Sequence, residues 1–266
     1  MTYELMQTAL SAARAGAETL RGLWGRHLEV EQKDRFDFVT NADKQAEQAV
    51  LNVIQGNHPK HAILAEESAA DFSGAAQTPG VLWVVDPLDG TTNYIHGFPH
   101  VAVSVAALVD GQPRAGVIID VTREEEFAAS KGQGVTLNGR PVKVSPVQEP
   151  EQALLLTGFP FRQKHRLKPY LELFAELFEQ ISGIRRAGAA ALDLAYVAAG
   201  RAEAFWEMGL NPWDMAAGIL MVEEAGGLVS DFDGKDQALW RGDIVAANQN
   251  LHQLVQAACG RKFPGG

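Results

Sequence analysis

The chain has a single cysteine, Cys259, among 266 residues. That excludes an internal disulfide and a zinc site built on several thiolates. A lone thiol suits a reducing compartment, and a cytoplasmic location is expected. Long apolar runs are also missing: none reaches the roughly 20 residues that a bilayer-spanning helix requires. Glu4, Arg14 and Glu18 break up the N-terminal stretch, which therefore does not read as a signal peptide. Positive charge is scarce. The 23 Lys and Arg stand against 33 Asp and Glu, a formal net charge of −10. No direct nucleic-acid binding through bulk charge is expected. The densest basic group, Arg162, Lys164, His165, Arg166 and Lys168, reads as a solvated loop or helix face. The sequence contains no Walker phosphate loop, dinucleotide fingerprint or nucleophilic Ser elbow, and no repeat or long linker.

What is present is a chain of 46% hydrophobic residues, enough for a substantial core. Leu5, Ala9, Ala13, Ala17, Leu20 and Trp24 recur near one helical face and predict a helix over 3–24. Thr40 opens a second helix with Asp43 as its capping-box partner, and Gly56 and Pro59 end it. Strands are expected near 61–65 and 81–85. A strand-rich stretch from 101 to about 144 turns at Asp110-Gly111, at 131–134 and at Asn138-Gly139. The second half alternates: strand 153–157, helix 167–180, strand near 184, helix 189–199, strand 202–207 and helix 213–225. Strands near 228 and 244 and a helix over 249–259 precede a frayed Gly265-Gly266 tail. An α+β half over about 1–150 and an α/β half over about 151–260 imply two sheets with helices between and outside them.

One stretch concentrates chemistry: Asp86-Pro-Leu-Asp-Gly-Thr-Thr-Asn93. The apolar run 81–85 feeds into it as a buried strand. Both aspartates are therefore expected just past a strand end, where Pro87 and Gly90 force a turn. Open α/β sheets keep their sites at that edge. Hard cations such as Mg²⁺ take carboxylate oxygens and leave positions for substrate phosphate. The N–H groups of Gly90, Thr91 and Thr92 would meet a phosphate at the next helix's N-terminus. Asp-Gly is also an ordinary turn dipeptide, and Asp110-Gly111 reads as a hairpin turn and nothing more.

Two further segments favour the functional reading. In 62–68 an apolar strand runs into Glu66 and Glu67, although paired glutamates usually form a solvated turn. In 207–227, Pro212 precedes a helix that stops at Gly226-Gly227. Asp214 lies in its first turn, a frequent place for a capping carboxylate. Other motifs are discounted. His96 and His100 have the spacing of a helical zinc pair, but Gly97 and Pro99 between them oppose a helix. Asp231-Phe-Asp233-Gly234 has its glycine at the wrong position for a calcium loop and reads as a turn.

Together, Asp37-Phe-Val-Thr-Asn-Ala-Asp43, Glu66-Glu67-Ser68, Trp83-Val-Val-Asp86-Pro-Leu-Asp89-Gly-Thr91, and Trp213-Asp214 followed by Glu224-Ala-Gly-Gly227 resemble the inositol monophosphatase family. These are lithium-sensitive, magnesium-dependent sugar-phosphate phosphatases. The run 185–201 is most similar to the bacterial members, including the extragenic-suppressor branch. The resemblance implies a five-layer αβαβα sandwich forming one domain over 1–266. It implies hydrolysis of inositol monophosphate, two to three Mg²⁺ per site, and a homodimer. By position, it assigns Glu66, Asp86 and the Leu88 carbonyl to a first metal, and Asp86, Asp89 and Asp214 to a second. Glu66 also contacts a third. Glu66 and Thr91 orient the attacking water, and Asp43 stands behind Thr91.

For the substrate, the resemblance places Asp89 and the backbone amides of Gly90 and Thr91 at the phosphate. Gly188, Ala189 and Ala190 line the sugar pocket, and Glu207 contacts a hydroxyl. Ala189 stands where the animal enzymes carry a hydroxyl residue, so one polar contact is absent here. Lys33 aligns only with a length change and carries little weight. Relatives acting on other sugar phosphates, histidinol phosphate or nucleotide 3′-phosphates share the metal core. Some bacterial relatives are partners of the transcription machinery. Both remain alternatives.

Overall fold

The alanine-rich N-terminal pattern forms α1, Thr2–Leu23, burying Leu5, Ala9, Ala13, Ala17 and Leu20 on one side. The computed structural model describes residues 2–34, 37–69, 71–160 and 163–265. Arg162 of the basic group and Gly266 of the tail lie outside the described residues. A hairpin of β1, Val30–Asp34, and β2, Asp37–Thr40, leads into α2, Asn41–Asn57. The capping box forms as the sequence predicts: Thr40 Oγ1 accepts from the Ala42 N–H, and Asp43 accepts from the Thr40 N–H. That satisfies donors that a helix start leaves unpaired.

β3, Ala62–Ala65, then pairs in parallel with β4, Val81–Asp89. The expectation that this strand ends at 85, with both aspartates beyond it, is corrected here. β4 continues through Asp89, with its register to the next strand shifting between Asp86 and Asp89. β3 has no residue opposite Pro87, so the missing N–H of proline breaks no ladder bond on that side. The irregularity bends the strand and re-aims its side chains. The short helix α3, Thr91–His96, follows. β5, Ala102–Val109, β6, Gln112–Asp120, β7, Glu125–Ser130, β8, Gly134–Leu137, and β9, Arg140–Val142, continue as an antiparallel meander. Asp110-Gly111 and Asn138-Gly139 have positive φ at both residues, as two-residue hairpin turns of this kind need.

The second half gives β10, Leu154–Thr157, α4, Leu167–Phe178, β11, Gly183–Arg185, α5, Ala190–Ala198, and β12, Ala204–Met208. α6, Pro212–Glu224, β13, Leu228–Ser230, α7, Ala238–Arg241, β14, Asp243–Ala247, and α8, His252–Lys262, complete it. The strand order is β11-β10-β12-β14-β13, parallel among the first three and antiparallel at β14. α7 is too short to show periodicity in sequence. α8 starts later than expected because Asn248 Oδ1 accepts from the N–H groups of Asn250 and Leu251 and holds a turn there. No helix among the described residues is long and apolar enough to cross a membrane.

Period-2 alternation sorts these elements into layers. Trp83, Val85, Val103, Val105 and Val117 of the first sheet pack with α1 and α2. Leu82, Val84, Ala106, Leu108 and Ile118, from the opposite face, pack with α5 and α6. The same cluster takes in Phe205, Ile244 and Ala246 of the second sheet. The outer face of that sheet, with Trp206, Val245 and Ala247, packs against α4 and α8 and buries Cys259. The result is the expected αβαβα order. α5 and α6 are covered on both sides, which is why they are apolar almost all round rather than amphipathic.

Candidate active site

The ends of β3, β4 and β12 and the starts of α3, α5 and α6 meet around a cavity of about 230 Å³. β3 delivers Glu66, whose N–H donates to the Val85 carbonyl. β4 delivers Asp86 and Asp89, both buried. α6 delivers Asp214 from its first turn. Glu66, Asp86 and Asp214 each bring a carboxylate oxygen within 4.8 Å of the others. No other such cluster of His, Cys, Asp and Glu occurs among the described residues. Asp89 stands outside that trio but lies beside it. The donors are all hard oxygens, which fit Mg²⁺ rather than a softer metal.

Backbone groups hold these carboxylates in place. Asp86 Oδ1 accepts from the Leu88 N–H at 2.9 Å. Asp89 Oδ2 accepts from the Ala191 N–H at 2.7 Å, and Asp214 Oδ2 from the Asn211 N–H at 2.7 Å. Asp214 is thus a helix cap and a member of the cluster at once. Burial, and then the charges of Glu66, Asp89 and Asp214, push the Asp86 carboxyl well above the usual carboxylate range. Burial and the neighbouring Asp214 do the same to Asp89. A site crowded with buried acids in this way is relieved by a cation.

Asp43 reaches the site through its capping role. One oxygen accepts from Thr40, and the other accepts from Thr91 Oγ1 at 2.9 Å. Thr91 Oγ1 also lies 3.2 Å from the Leu88 carbonyl. A hydroxyl has one proton, and the shorter, charge-assisted bond to Asp43 takes it. Burial raises the Asp43 carboxyl, against the lowering effect of these hydrogen bonds. Gly90 adopts φ 90°, and a Cβ there would stand 3.0 Å from the His100 carbonyl. Only glycine allows the chain to turn from β4 into α3 at that spot.

The opposite wall is formed by Gly188, Ala190, Glu207 and Arg186. Ala189 is buried and precedes α5. Glu207 is the last residue but one of β12, opposite Ile244, at the strand end that meets the cavity. Among the described residues its carboxylate has no hydrogen bond or ion pair. Burial and the charge of Asp193 push its carboxyl well above the usual range, with Arg186 opposing them.

Several contributors are absent from the sequence reading or carry little weight in it. A Cβ at Gly158 would lie 2.0 Å from Glu207 Oε1, so Glu207 occupies space that only glycine leaves. Asn93 Nδ2 donates to the carbonyls of His100 and Ala187 at 2.8 and 2.9 Å, tying α3 to the 186–190 segment. Lys33 lies 2.6 Å from Glu67 and 3.7 Å from Glu66, closer to the cluster than its weak alignment implies. The discounted motifs stay discounted. His96 closes α3 while His100 is buried 3.5 Å from Asp193, and left-handed Gly97 separates them. Asp233 turns back onto Arg241.

Known proteins match this chain throughout. Residues 2–261 match the model of the inositol monophosphatase family. A Nus factor SuhB of Pseudomonas aeruginosa is 51% identical over 255 residues, 94% of this chain and 94% of that protein. An inositol-1-monophosphatase of Synechocystis is 42% identical, covering 95% of this chain and 88% of that protein. The crystal structure of extragenic suppressor protein suhB from Bartonella henselae superposes with a TM-score of 0.90 at 39% identity. It covers 98% of this chain and 99% of that one. The family match, running from α1 to α8 and through every acid of the cluster, shows that the chain belongs to the inositol monophosphatase family.

Proposed function

We propose that this chain is a Mg²⁺-dependent phosphomonoesterase that hydrolyses inositol monophosphate to inositol and phosphate. The observation that carries the reading is the convergence of Glu66, Asp86 and Asp214 oxygens within 4.8 Å. Glu66, Asp86 and the Leu88 carbonyl would hold one cation, and Asp86, Asp89 and Asp214 a second. Glu66 would also serve a third, weaker one. When bound, the cations polarise the phosphoryl group and acidify the attacking water.

The remaining work belongs to the chain's own groups. Thr91 donates its one hydroxyl hydrogen bond to Asp43, so its oxygen lone pairs face the water as acceptors. Glu66 and Thr91 thereby fix the water for in-line attack. The amides of Gly90 and Thr91, with Asp89 beside them, position the phosphate. Glu207 accepts a hydroxyl of the leaving polyol, and Gly188, Ala189 and Ala190 shape its pocket. Two copies of the chain assemble into a dimer in this reading, and Li⁺ inhibits. Kinetics over a panel of inositol, sugar, histidinol and nucleotide 3′-phosphates test the substrate: inositol 1-phosphate should give the highest kcat/KM. Light scattering at micromolar protein tests the dimer, which a single-chain mass would refute.

A second reading is favoured by the name of the Pseudomonas aeruginosa relative, a Nus factor. In it the chain is also a partner of the transcription machinery. Pull-down with wild type and with Asp86→Asn separates the two roles. Equal capture by both means that the partner role does not need catalysis, and no capture removes it.

A further inference from the structure

Behind the cavity wall, His100 and Asp193 face each other, both almost fully buried. His100 Nε2 stands 3.5 Å from Asp193 Oδ1, and neither atom has any other hydrogen-bond partner among the described residues. Burial raises the Asp193 carboxyl, and His100 opposes that rise. A buried pair of this kind adds little net stability, because desolvation offsets the attraction. Its place in the fold gives it another use. The His100 carbonyl accepts from Asn93 Nδ2 at 2.8 Å, and the same amide nitrogen donates to the Ala187 carbonyl at 2.9 Å. The His100 ring reaches Asp193, in the first turn of α5. The segment 187–193 is thus clamped at both ends from one residue. Between the clamps lie the wall residues Gly188 and Ala190 and the Ala191 N–H, which donates to Asp89 Oδ2 at 2.7 Å. Tyr196, three residues beyond Asp193, braces the His100 ring edge-on at 5.7 Å.

We infer that His100 is a positioning residue of the site: by holding Asp193 it fixes the first turn of α5, so that the Ala191 N–H aims the Asp89 carboxylate at its cation. His100 and Asp193 do not line the cavity, so the pair acts through Asp89 and not on substrate. A donor that orients a ligating carboxylate governs metal affinity from outside the ligand set. The inference rests on the cation assignment above. A pair that served only the packing of α5 would alter thermal stability and leave ion affinity alone, which separates the two explanations. Tyr196→Phe is the comparison for packing. It removes the hydroxyl that donates to Asp120 Oδ2 at 3.2 Å and keeps the ring against His100.

The test titrates Mn²⁺, which shares the oxygen-ligand preference of Mg²⁺, into the metal-free protein and follows the loss of the free-ion EPR signal. The Mg²⁺ dependence of inositol 1-phosphate hydrolysis is measured beside it. His100→Phe keeps a ring of similar shape and removes the donor. It should weaken the binding of one Mn²⁺ about tenfold or more, as loss of an outer partner of a metal ligand does. The Mg²⁺ needed for half-maximal turnover should rise by a similar factor, while kcat at saturating Mg²⁺ changes much less. His100→Gln, which offers an amide donor toward Asp193, should recover part of both. Tyr196→Phe should lower Tm yet bind Mn²⁺ as wild type does. If His100→Phe lacks the native far-UV CD spectrum, Asp193→Ala is read in its place with the same expectation. Unchanged Mn²⁺ affinity in the folded variant, an equal loss in Tyr196→Phe, or His100→Gln no tighter than His100→Phe overturns the inference and leaves the cation assignment standing. No Mn²⁺ binding by wild type overturns both.

Discussion

Replacing Asp86 with asparagine should make the metal-free protein more stable. The side chain is 1% exposed and its Oδ1 accepts the Leu88 N–H, a bond that an amide oxygen keeps. The other terminus becomes an NH₂ donor amid the carboxylates of Glu66 and Asp214, within 4.8 Å. Like charges at that separation repel by about 3.5 kcal/mol at an effective dielectric near 20. Partial protonation already relieves some of this, so a gain of about 1–3 kcal/mol is expected. For a chain of this size that is a rise in Tm of roughly 3–9 °C. Thermal unfolding in EDTA measures it. In excess Mg²⁺ the order should reverse, because ligand binding stabilises the wild type and the variant has lost a shared ligand. An Asp86→Asn protein that melts below wild type in EDTA would refute the reasoning. It would mean that attraction, not crowding, holds Asp86 in place.

Three further outcomes are expected. The raised carboxyls of Asp86, Asp89 and Glu207 bind protons more tightly folded than unfolded. Their contribution is therefore full below the unfolded value near 4 and is lost as pH rises through the folded values. Tm in EDTA should fall as pH rises above about 4, the unfolded value, and a rise would contradict the shifts. Gly158→Ala should act like Glu207→Gln, since its Cβ would displace the Glu207 carboxylate. Both should raise KM for inositol 1-phosphate while barely changing turnover of a small aryl phosphate, and the double variant should be no worse than either single one. Equal losses on the two substrates would end the recognition role of Glu207. Thr91→Val, which strips the donor from Asp43, should lower kcat by about a hundredfold and cost about 1–3 kcal/mol of stability. Thr91→Ser should recover most of both, and unchanged kcat in the valine variant would remove Thr91 from the water's surroundings.

Much of this site was legible in the sequence because its parts are local. Thr40 and Asp43 announce a helix start whatever the tertiary structure, and Pro212 and Asp214 do the same for α6. The apolar run into Asp86 marked a buried strand. Pro87 misled as to where it ends, because a strand tolerates proline where its neighbour has stopped, and only the ends of β3 reveal that. Gly158 and Arg186 were not legible at all. Gly158 matters because β10 runs beside β12, with Thr157 opposite Trp206, which brings Glu207 against it from a distant part of the chain. Arg186 belongs to a pair of arginines that look alike in sequence, yet only Arg186 lines the cavity. The layer order likewise followed from the family resemblance; alternation along β4 says that both faces are buried, not what covers each.

The central claim is that the carboxylate cluster works through bound Mg²⁺. Its most direct test is phosphate release from inositol 1-phosphate, measured with Mg²⁺, after EDTA, and after Mg²⁺ is returned, for wild type and Asp214→Asn. Wild type should turn over with Mg²⁺, stop in EDTA and recover on return. Asp214→Asn should lose kcat on the order of a thousandfold, the several kcal/mol that a metal's charge supplies. Full turnover in EDTA, or an Asp214→Asn protein that keeps more than about a tenth of wild-type kcat at saturating Mg²⁺, would contradict the account.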